Sequence, residues 1–550
     1  MNAAEPMSTA LPLVQAGAVL KEAEMTSGGC PVHHHGVTQP LGCQHSGFGT
    51  FGRMFPDLAG LLFDDELLDL LGAPGGLMHD ERRDSADSDL PAGYTFFAQF
   101  VDHDITLDTG SQLNAPGENE PEKVKNQRTP SLDLDCVYGL GPEATPMLYD
   151  GSRFGMLLDG SGEGRPWDLA RSSSGAALIG DPRNDENLFV SQMQLLWIQF
   201  HNCLLLANPG IGHTAAARFE RIQERVRHHY QAIILYDFLR RVCDRAVYDF
   251  AIERIEQAVT EQREALGAKN ASELPPSYPM VFRQSGSGHA MPMPVEFSVA
   301  AYRFGHTTVR DRYPANAANL DIELFDERFG VEGFSAIPAE LAVDWRFQLP
   351  VDPCLSPANA KAFDHLLPDE LIRMPDPIVG RTSDRNRSLA FRNLARGRSF
   401  CLPSGEEVFR ALADAGYPMG DPLDVGTLFD PKDFTGKTQA AEKAADEAKE
   451  GTPLFFYLLR EGAIANEGQR LGPAGSAILM EVFGRMLVGC TTSLFFARNH
   501  ETGDFEDFEP DPCVISNGCK QSNAEGQQLD LASIVGFVRA SSQRIHAGAS

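Results

Sequence analysis

Residues 94–108 read YTFFAQFVDHDITLD. Phe96, Phe97, Phe100, Val101, Ile105 and Leu107 make an apolar run, and Asp102-His103-Asp104 interrupts it. The spacing predicts a helix, with Gln99 and His103 one turn apart on the same face. Asp102 and Asp104 then project about 100° to either side of the histidine. Three ionisable residues inside an apolar run are costly unless each has a partner. The flanking aromatics do not suit a salt-bridged surface turn. They suit a buried site where the histidine faces a ligand and the two carboxylates bind elsewhere.

The rest of the chain supports a mainly α-helical fold with a central helix core and little β. Residues 186–207 are long and mostly apolar, as a buried central helix would be, and 216–257 carry apolar residues at helical spacing. Ser404-Gly-Glu-Glu407 is a capping-box pattern at a helix start. Residues 437–451, KTQAAEKAADEAKEG, predict a solvated helix without an apolar stripe. Residues 1–50 read as a flexible arm in which GGCPVHHH (28–35) is tail rather than metal site, and 51–550 as one large domain.

With 47 basic and 76 acidic residues the 550-residue chain carries a net charge of −29, and 42% of it is hydrophobic. That composition fits a globular protein with a sizeable core. The acidity argues against a nucleic-acid binder, which needs a basic patch, and against docking on anionic lipid. No apolar run reaches the roughly 18–20 residues of a membrane span. No basic segment precedes an apolar stretch at the start, so a cytoplasmic protein, or one exported without a cleaved signal, is expected. Ten cysteines without a CxxC pair exclude a disulfide scaffold or zinc ribbon, and Cys513 and Cys519 are expected to be free thiols.

Four further stretches carry chemistry-bearing residues. In RTPSLDLDCVYG (128–139), Thr129, Ser131, Asp133 and Asp135 alternate, so a strand would point their hard oxygens one way. That donor set suits Ca²⁺, especially with Asp104 added. In GDPRNDEN (180–187), Arg183 and Glu186 stand three apart at a helix start marked by Pro182. In AYRFGHTTVRDRY (301–313), Arg303 and His306 share a helix face. RNLARGRS (392–399) reads as an Arg-rich turn holding Asn393 and Arg396.

Taken in order, these five stretches resemble the animal-type haem peroxidases of the peroxidase–cyclooxygenase superfamily, and the chain looks like a bacterial member. The resemblance covers roughly residues 50–540. Its distal motif matches Gln99, Asp102, His103 and Asp104; its calcium loop matches Thr129 to Gly139; its Arg-x-x-Glu matches Arg183 and Glu186. Its proximal motif matches Arg303-Phe-Gly-His306, and its Asn-x-x-Arg matches Asn393 and Arg396.

The resemblance implies a haem b peroxidase that reduces hydrogen peroxide and oxidises small donors (halide, thiocyanate or phenols) through a high-valent haem. It implies His306 as axial iron ligand, with Asn393 accepting its ring N–H, and Arg303 and Arg396 near the propionates. His103, Arg183 and Gln99 would form the catalytic group. Asp102 and Glu186 are the matched ester-forming carboxylates, and Asp104, Thr129, Ser131, Asp133 and Asp135 would hold Ca²⁺. Asn187 stands where a third, sulfonium link would need Met. Arg303 stands where the cyclooxygenase branch carries its radical-forming Tyr, so peroxidase is favoured over fatty-acid dioxygenase. The remaining alternative is a non-catalytic haem-binding adhesion protein, against which the intact His103 and Arg183 argue.

Overall fold

Two mostly apolar helices, Leu188–Ala207 and Pro473–Val488, are buried along most of their length. Against the first lies the helix Gly93–Ile105, in which Gln99 alone is not buried. The contact is aromatic: Phe100 and Phe97 stack on Trp197, and Phe96 stacks on Phe189. Such rings bury large apolar areas and fix the helix about its own axis. That rotation decides where His103 points.

This computed structural model describes residues 49–81, 86–108, 113, 116–267, 277–282, 291–326, 328, 329, 333–500, 502–517 and 529–548. The described residues belong to one compact unit, mainly helical. The 1–50 arm, its GGCPVHHH segment and Cys519 lie almost wholly outside them, and Cys513 is half-buried. Strands are two to five residues long. Gly49–Gly52 pairs antiparallel with Lys125–Asn126 and parallel with Met293–Pro294, and Asp87–Pro91 pairs antiparallel with Asn359–Lys361. Among the described residues no helix is long and apolar enough to cross a membrane.

Several local expectations are corrected. The 216–257 helix is two helices: Ala215–Ala232 continues through a π-helical turn to Val242, the chain breaks, and Arg245–Gly267 follows. The Arg-rich turn at 392–399 is part of a regular helix, Leu389–Ser399, capped by Ser388. The helix Thr438–Glu447 is not wholly solvated, because Ala441 and Ala444 are buried where it packs on Asp65–Gly72. At the capping box Ser404 Oγ accepts from the Glu407 N–H at 3.3 Å, and the neighbouring Glu406 carboxylate accepts from the Thr452 N–H and hydroxyl.

The segment ending at His306 is irregular: π-helical over Glu296–Ala300, then 3-10 over Ala301–His306. In a 3-10 helix residues three apart eclipse, so Arg303 and His306 do share a face. Glu296, with no exposed surface, anchors this segment by accepting the N–H groups of Met54 at 2.9 Å and Phe55 at 3.3 Å. Glu296→Leu strands both donors, at about 1–3 kcal/mol each. Urea denaturation should register a loss of at least about 2 kcal/mol, by that same magnitude. An unchanged midpoint would show that the anchor is redundant.

Candidate active site

The helix Gly93–Ile105 and the 3-10 turn Pro182–Asp185 form one wall of the site. His103 Nδ1 lies 2.7 Å from Asn184 Oδ1, and its Nε2 lies 3.8 Å from Glu186 Oε1. Gln99 Nε2 donates to Glu186 Oε1 at 2.5 Å, and Asn187 Nδ2 donates to Gln99 Oε1 at 3.1 Å. Arg183 is clamped: Nη2 donates to the His103 and Thr106 carbonyls at 3.0 and 2.7 Å and to Asp181 Oδ2 at 2.7 Å. Its Nη1 has no protein partner among the described residues. Asp102 does not face the same way as His103. Arg303 Nη1 donates to its Oδ2 at 3.1 Å, and Thr106 Oγ1 to its Oδ1 at 2.9 Å.

The facing wall is the 301–306 turn with the helix Leu389–Ser399. Asn393 lies 2.8 Å from His306 Nδ1, but through its Nδ2. In this orientation the amide donates, the reverse of the sequence expectation. A half-turn about Cβ–Cγ puts Oδ1 there and leaves Nε2 free to bind a metal; the two amide ends are nearly isosteric. Arg396 Nη1 donates to Asp108 Oδ2 at 2.6 Å. Burial and the like charges of Arg303 and Arg392 still hold Arg396 below its ordinary value, against the pull of Asp108.

Between the walls lies a cavity. Side chains of both walls keep accessible surface: Arg183, Arg303 and His306 are half-buried, and 37% of the Glu186 side chain is accessible. A carboxylic acid, two histidines and two partly accessible arginines line an interior space. That donor set fits haem: an imidazole for iron and guanidinium groups for propionates.

A second cluster lies behind the first wall. Carboxylate oxygens of Asp104, Asp133 and Asp135 lie within 4.8 Å of one another, and Thr129 Oγ1 donates to Asp133 at 3.1 Å. Asp104 Oδ1 is buried without a hydrogen-bond partner. Burial and its two acidic neighbours hold Asp104 well above the usual carboxylate range, and Asp135 is pushed up to about 7. Three converging carboxylates, one of them wholly buried with an orphaned oxygen of its own, are what a hard cation resolves. The alternating strand is corrected, however: 130–133 are bends, and Leu134 adopts a left-handed φ of 61° before the helix Asp135–Tyr138. The curl, not strand alternation, gathers the oxygens, and Ser131 makes no side-chain hydrogen bond to them.

The animal haem peroxidase model matches residues 109–411, more than half of the chain. The chain belongs to the animal haem peroxidase family. The match begins just beyond the Gly93–Ile105 helix, so the assignment of His103 rests on the motif and the geometry. No curated protein sequence matches it. Peroxidase A from Dictyostelium discoideum has a similar structure, at TM-score 0.56 and 15% identity over 86% of this chain and 94% of that one. A fatty acid alpha-dioxygenase from Arabidopsis thaliana is similar at TM-score 0.55 and 16% identity, covering 82% and 74%. One from Oryza sativa, with palmitic acid, reaches 0.56 and 16%, covering 92% and 82%. At these identities the likeness is one of fold.

For this haem peroxidase family member, sequence reasoning missed Asp181, Asn184, Arg128 and Asp108, which hold the named residues in place. Asp181 had a signal: it directly precedes Pro182 and caps the 3-10 turn, accepting from Arg183 N–H at 2.9 Å. Two titrations are also displaced. Burial, aided by Arg183, lowers His103 to about 4 rather than leaving it near 6.5. Burial raises Glu186 to about 7.

The Glu186 shift has a sign. Its folded value lies above the ordinary glutamate value of 4.5, so the fold holds a proton that the unfolded chain has lost. Its contribution to stability therefore falls as pH rises from about 4.5 to about 7. Haem-free protein should lose stability to urea as pH rises from about 4.5 to about 7, and Glu186→Gln should remove that loss. A loss that survives the substitution belongs to another group.

Proposed function

We propose that this chain is a haem peroxidase that reduces hydrogen peroxide and oxidises small electron donors such as halide, thiocyanate or phenols. One observation carries the reading. On a single wall of the cavity His103 presents Nε2 while Arg183 is locked against the His103 carbonyl. Mere retention of haem requires neither.

Bound haem supplies the electrons that cleave the O–O bond and afterwards withdraws electrons from the donor. The chain does the rest. His306 Nε2 is the nitrogen left for iron once Asn393 occupies Nδ1, and a ring N–H accepted by Asn393 Oδ1 makes the imidazole a stronger electron donor. Arg303 and Arg396 would hold the propionates. His103 Nε2 takes a proton from the incoming peroxide and returns it to the departing oxygen. Arg183 acts through oriented N–H donors more than through net charge, because Asp181 neutralises it at 2.7 Å. Gln99, tied to Glu186 and Asn187, orders the space beside Nε2. The accessible Glu186 carboxyl is better placed for ester formation than Asp102, which Arg303 and Thr106 already hold.

Calcium is the proposed occupant of the Asp104–Asp133–Asp135 cluster, with Thr129 and Ser131 as neutral donors. Asp104 follows His103 directly, so the ion would brace the helix that aims the histidine. Asp133→Ala should abolish stoichiometric bound calcium in elemental analysis and lower the thermal midpoint. Calcium content equal to that of the unaltered protein would refute the site.

The alternative with a specific observation behind it is a dioxygenase, given the two structural neighbours of that kind. Against it, Arg303 occupies the position three before His306 and is committed to Asp102. Stopped-flow mixing with hydrogen peroxide, run beside oxygen uptake with palmitate, separates the two. A positioned acid–base group contributes about 10²–10⁴-fold, and a preorganised donor about 10²–10³-fold. His103→Ala and Arg183→Ala should each slow the peroxide reaction at least about a hundredfold while haem stays bound. A wild-type rate in His103→Ala, or oxygen uptake without peroxide turnover, overturns the peroxidase reading.

A further inference from the structure

His103 can take a proton through Nε2 only if that nitrogen carries none. A neutral imidazole has two tautomers, and the bond at Nδ1 selects between them. The Nδ1 partner here is the end of a buried chain of amides. His103 Nδ1 lies 2.7 Å from Asn184 Oδ1; Asn184 Nδ2 donates to Gln194 Oε1 at 2.8 Å; Gln194 Nε2 donates to the Cys136 carbonyl at 3.2 Å. Asn184 and Gln194 have no exposed surface.

Side-chain amides can be turned end for end, and their assigned orientation is ordinarily open. This chain removes that freedom, because it ends on a group of fixed polarity. A backbone carbonyl only accepts. It therefore requires Nε2 of Gln194, not Oε1, which turns Oε1 towards Asn184. An amide oxygen also only accepts, so Asn184 must present Nδ2 to it. Asn184 Oδ1 then faces His103, and the imidazole must donate from Nδ1–H. Turning either amide sets two oxygens or two NH₂ groups against each other in a buried space, where each unmet group costs about 1–3 kcal/mol. The carbonyl is itself held, since Gly180 N–H donates to it at 2.9 Å.

We propose that Asn184 and Gln194 are positioning residues that relay the polarity of the Cys136 carbonyl to His103 and lock it as the Nδ1–H tautomer, with the Nε2 lone pair facing the cavity. Cys136 adjoins Asp135, so the relay starts in the carboxylate cluster and ends at the histidine. Asn184 also sits between Arg183 and Glu186, so one turn supplies the donor, the tautomer lock and the cavity carboxyl. The inference rests on His103 being the proton acceptor of the proposed peroxidase.

The test uses the haem-loaded protein and two readouts. The first is the C–O stretch of carbon monoxide on the reduced haem. A lone pair facing CO raises that frequency and an N–H donor lowers it, so the band reports the tautomer without turnover. The second is the rate of reaction with hydrogen peroxide. Asn184→Leu removes the acceptor and lets the proton move to Nε2. It should add a lower-frequency CO band and slow the peroxide reaction at least about tenfold, within the range of one acid–base group. Asn184→Asp restores an acceptor at Nδ1–H and should return the single higher band. Gln194→Met keeps the side-chain shape but frees Asn184 to turn, and should give a mixture of the two bands. It also serves if Asn184→Leu does not hold haem.

One unshifted CO band in both Asn184→Leu and Gln194→Met overturns the relay. His103→Ala keeps the two failures apart. If it reacts with peroxide at the wild-type rate, the peroxidase reading fails. If it is slow while the relay variants are fast, only the relay fails.

Discussion

Asp181 has no exposed surface, and it meets two arginines. Arg183 Nη2 lies 2.7 Å from its Oδ2, and Arg128 Nη2 lies 2.6 Å from the same oxygen. A buried carboxylate is tolerated only when paired, and removing one partner of such a pair commonly costs about 3–5 kcal/mol. The interaction ties together pieces of chain that share no secondary structure. Arg183 reaches the carbonyls at the end of the Gly93–Ile105 helix. Arg128 reaches Asp135, in the carboxylate cluster, at 3.3 Å. The cavity wall and the cluster behind it are thus one charged unit, closed by a single side chain.

That arrangement explains why the carboxylates do not all serve one end. Asp102 and Asp104 flank His103 but lie on opposite sides of it. Asp102 crosses to the 301–306 turn through Arg303, which joins the two cavity walls. Asp104 turns away to Asp133 and Asp135. His103 is left between them without an acidic hydrogen-bond partner, held instead by a neutral amide. A carboxylate at Nδ1 would raise its proton affinity; the amide fixes its direction and leaves burial to lower it.

The irregular 301–306 turn meets the same need from the other side. A regular α-helix would already set Arg303 and His306 on one face, offset by about 60° around the axis, from the helix repeat. The 3-10 turn stacks them instead. Glu296 holds the turn to residues 54 and 55, and Tyr302 packs inward on Phe297 and Phe483.

The sequence by itself determined the helical class, the helix at 93–105 and the polar residues lining the site. Those follow from local spacing: apolar periodicity, a proline at a turn start, and ionisable residues where an apolar run cannot afford them. It could not determine which oxygen meets which nitrogen. The 128–135 stretch alternates like a strand, yet it curls, because three carboxylates and Arg128 converge only once 104 and 181 have arrived from elsewhere. The displaced titrations of His103 and Glu186 likewise come from burial, which no local window contains. Asn184 and Gln194 looked like ordinary polar residues near a helix start. They acquire a direction only when packing brings the Cys136 carbonyl to one end of the pair and His103 to the other.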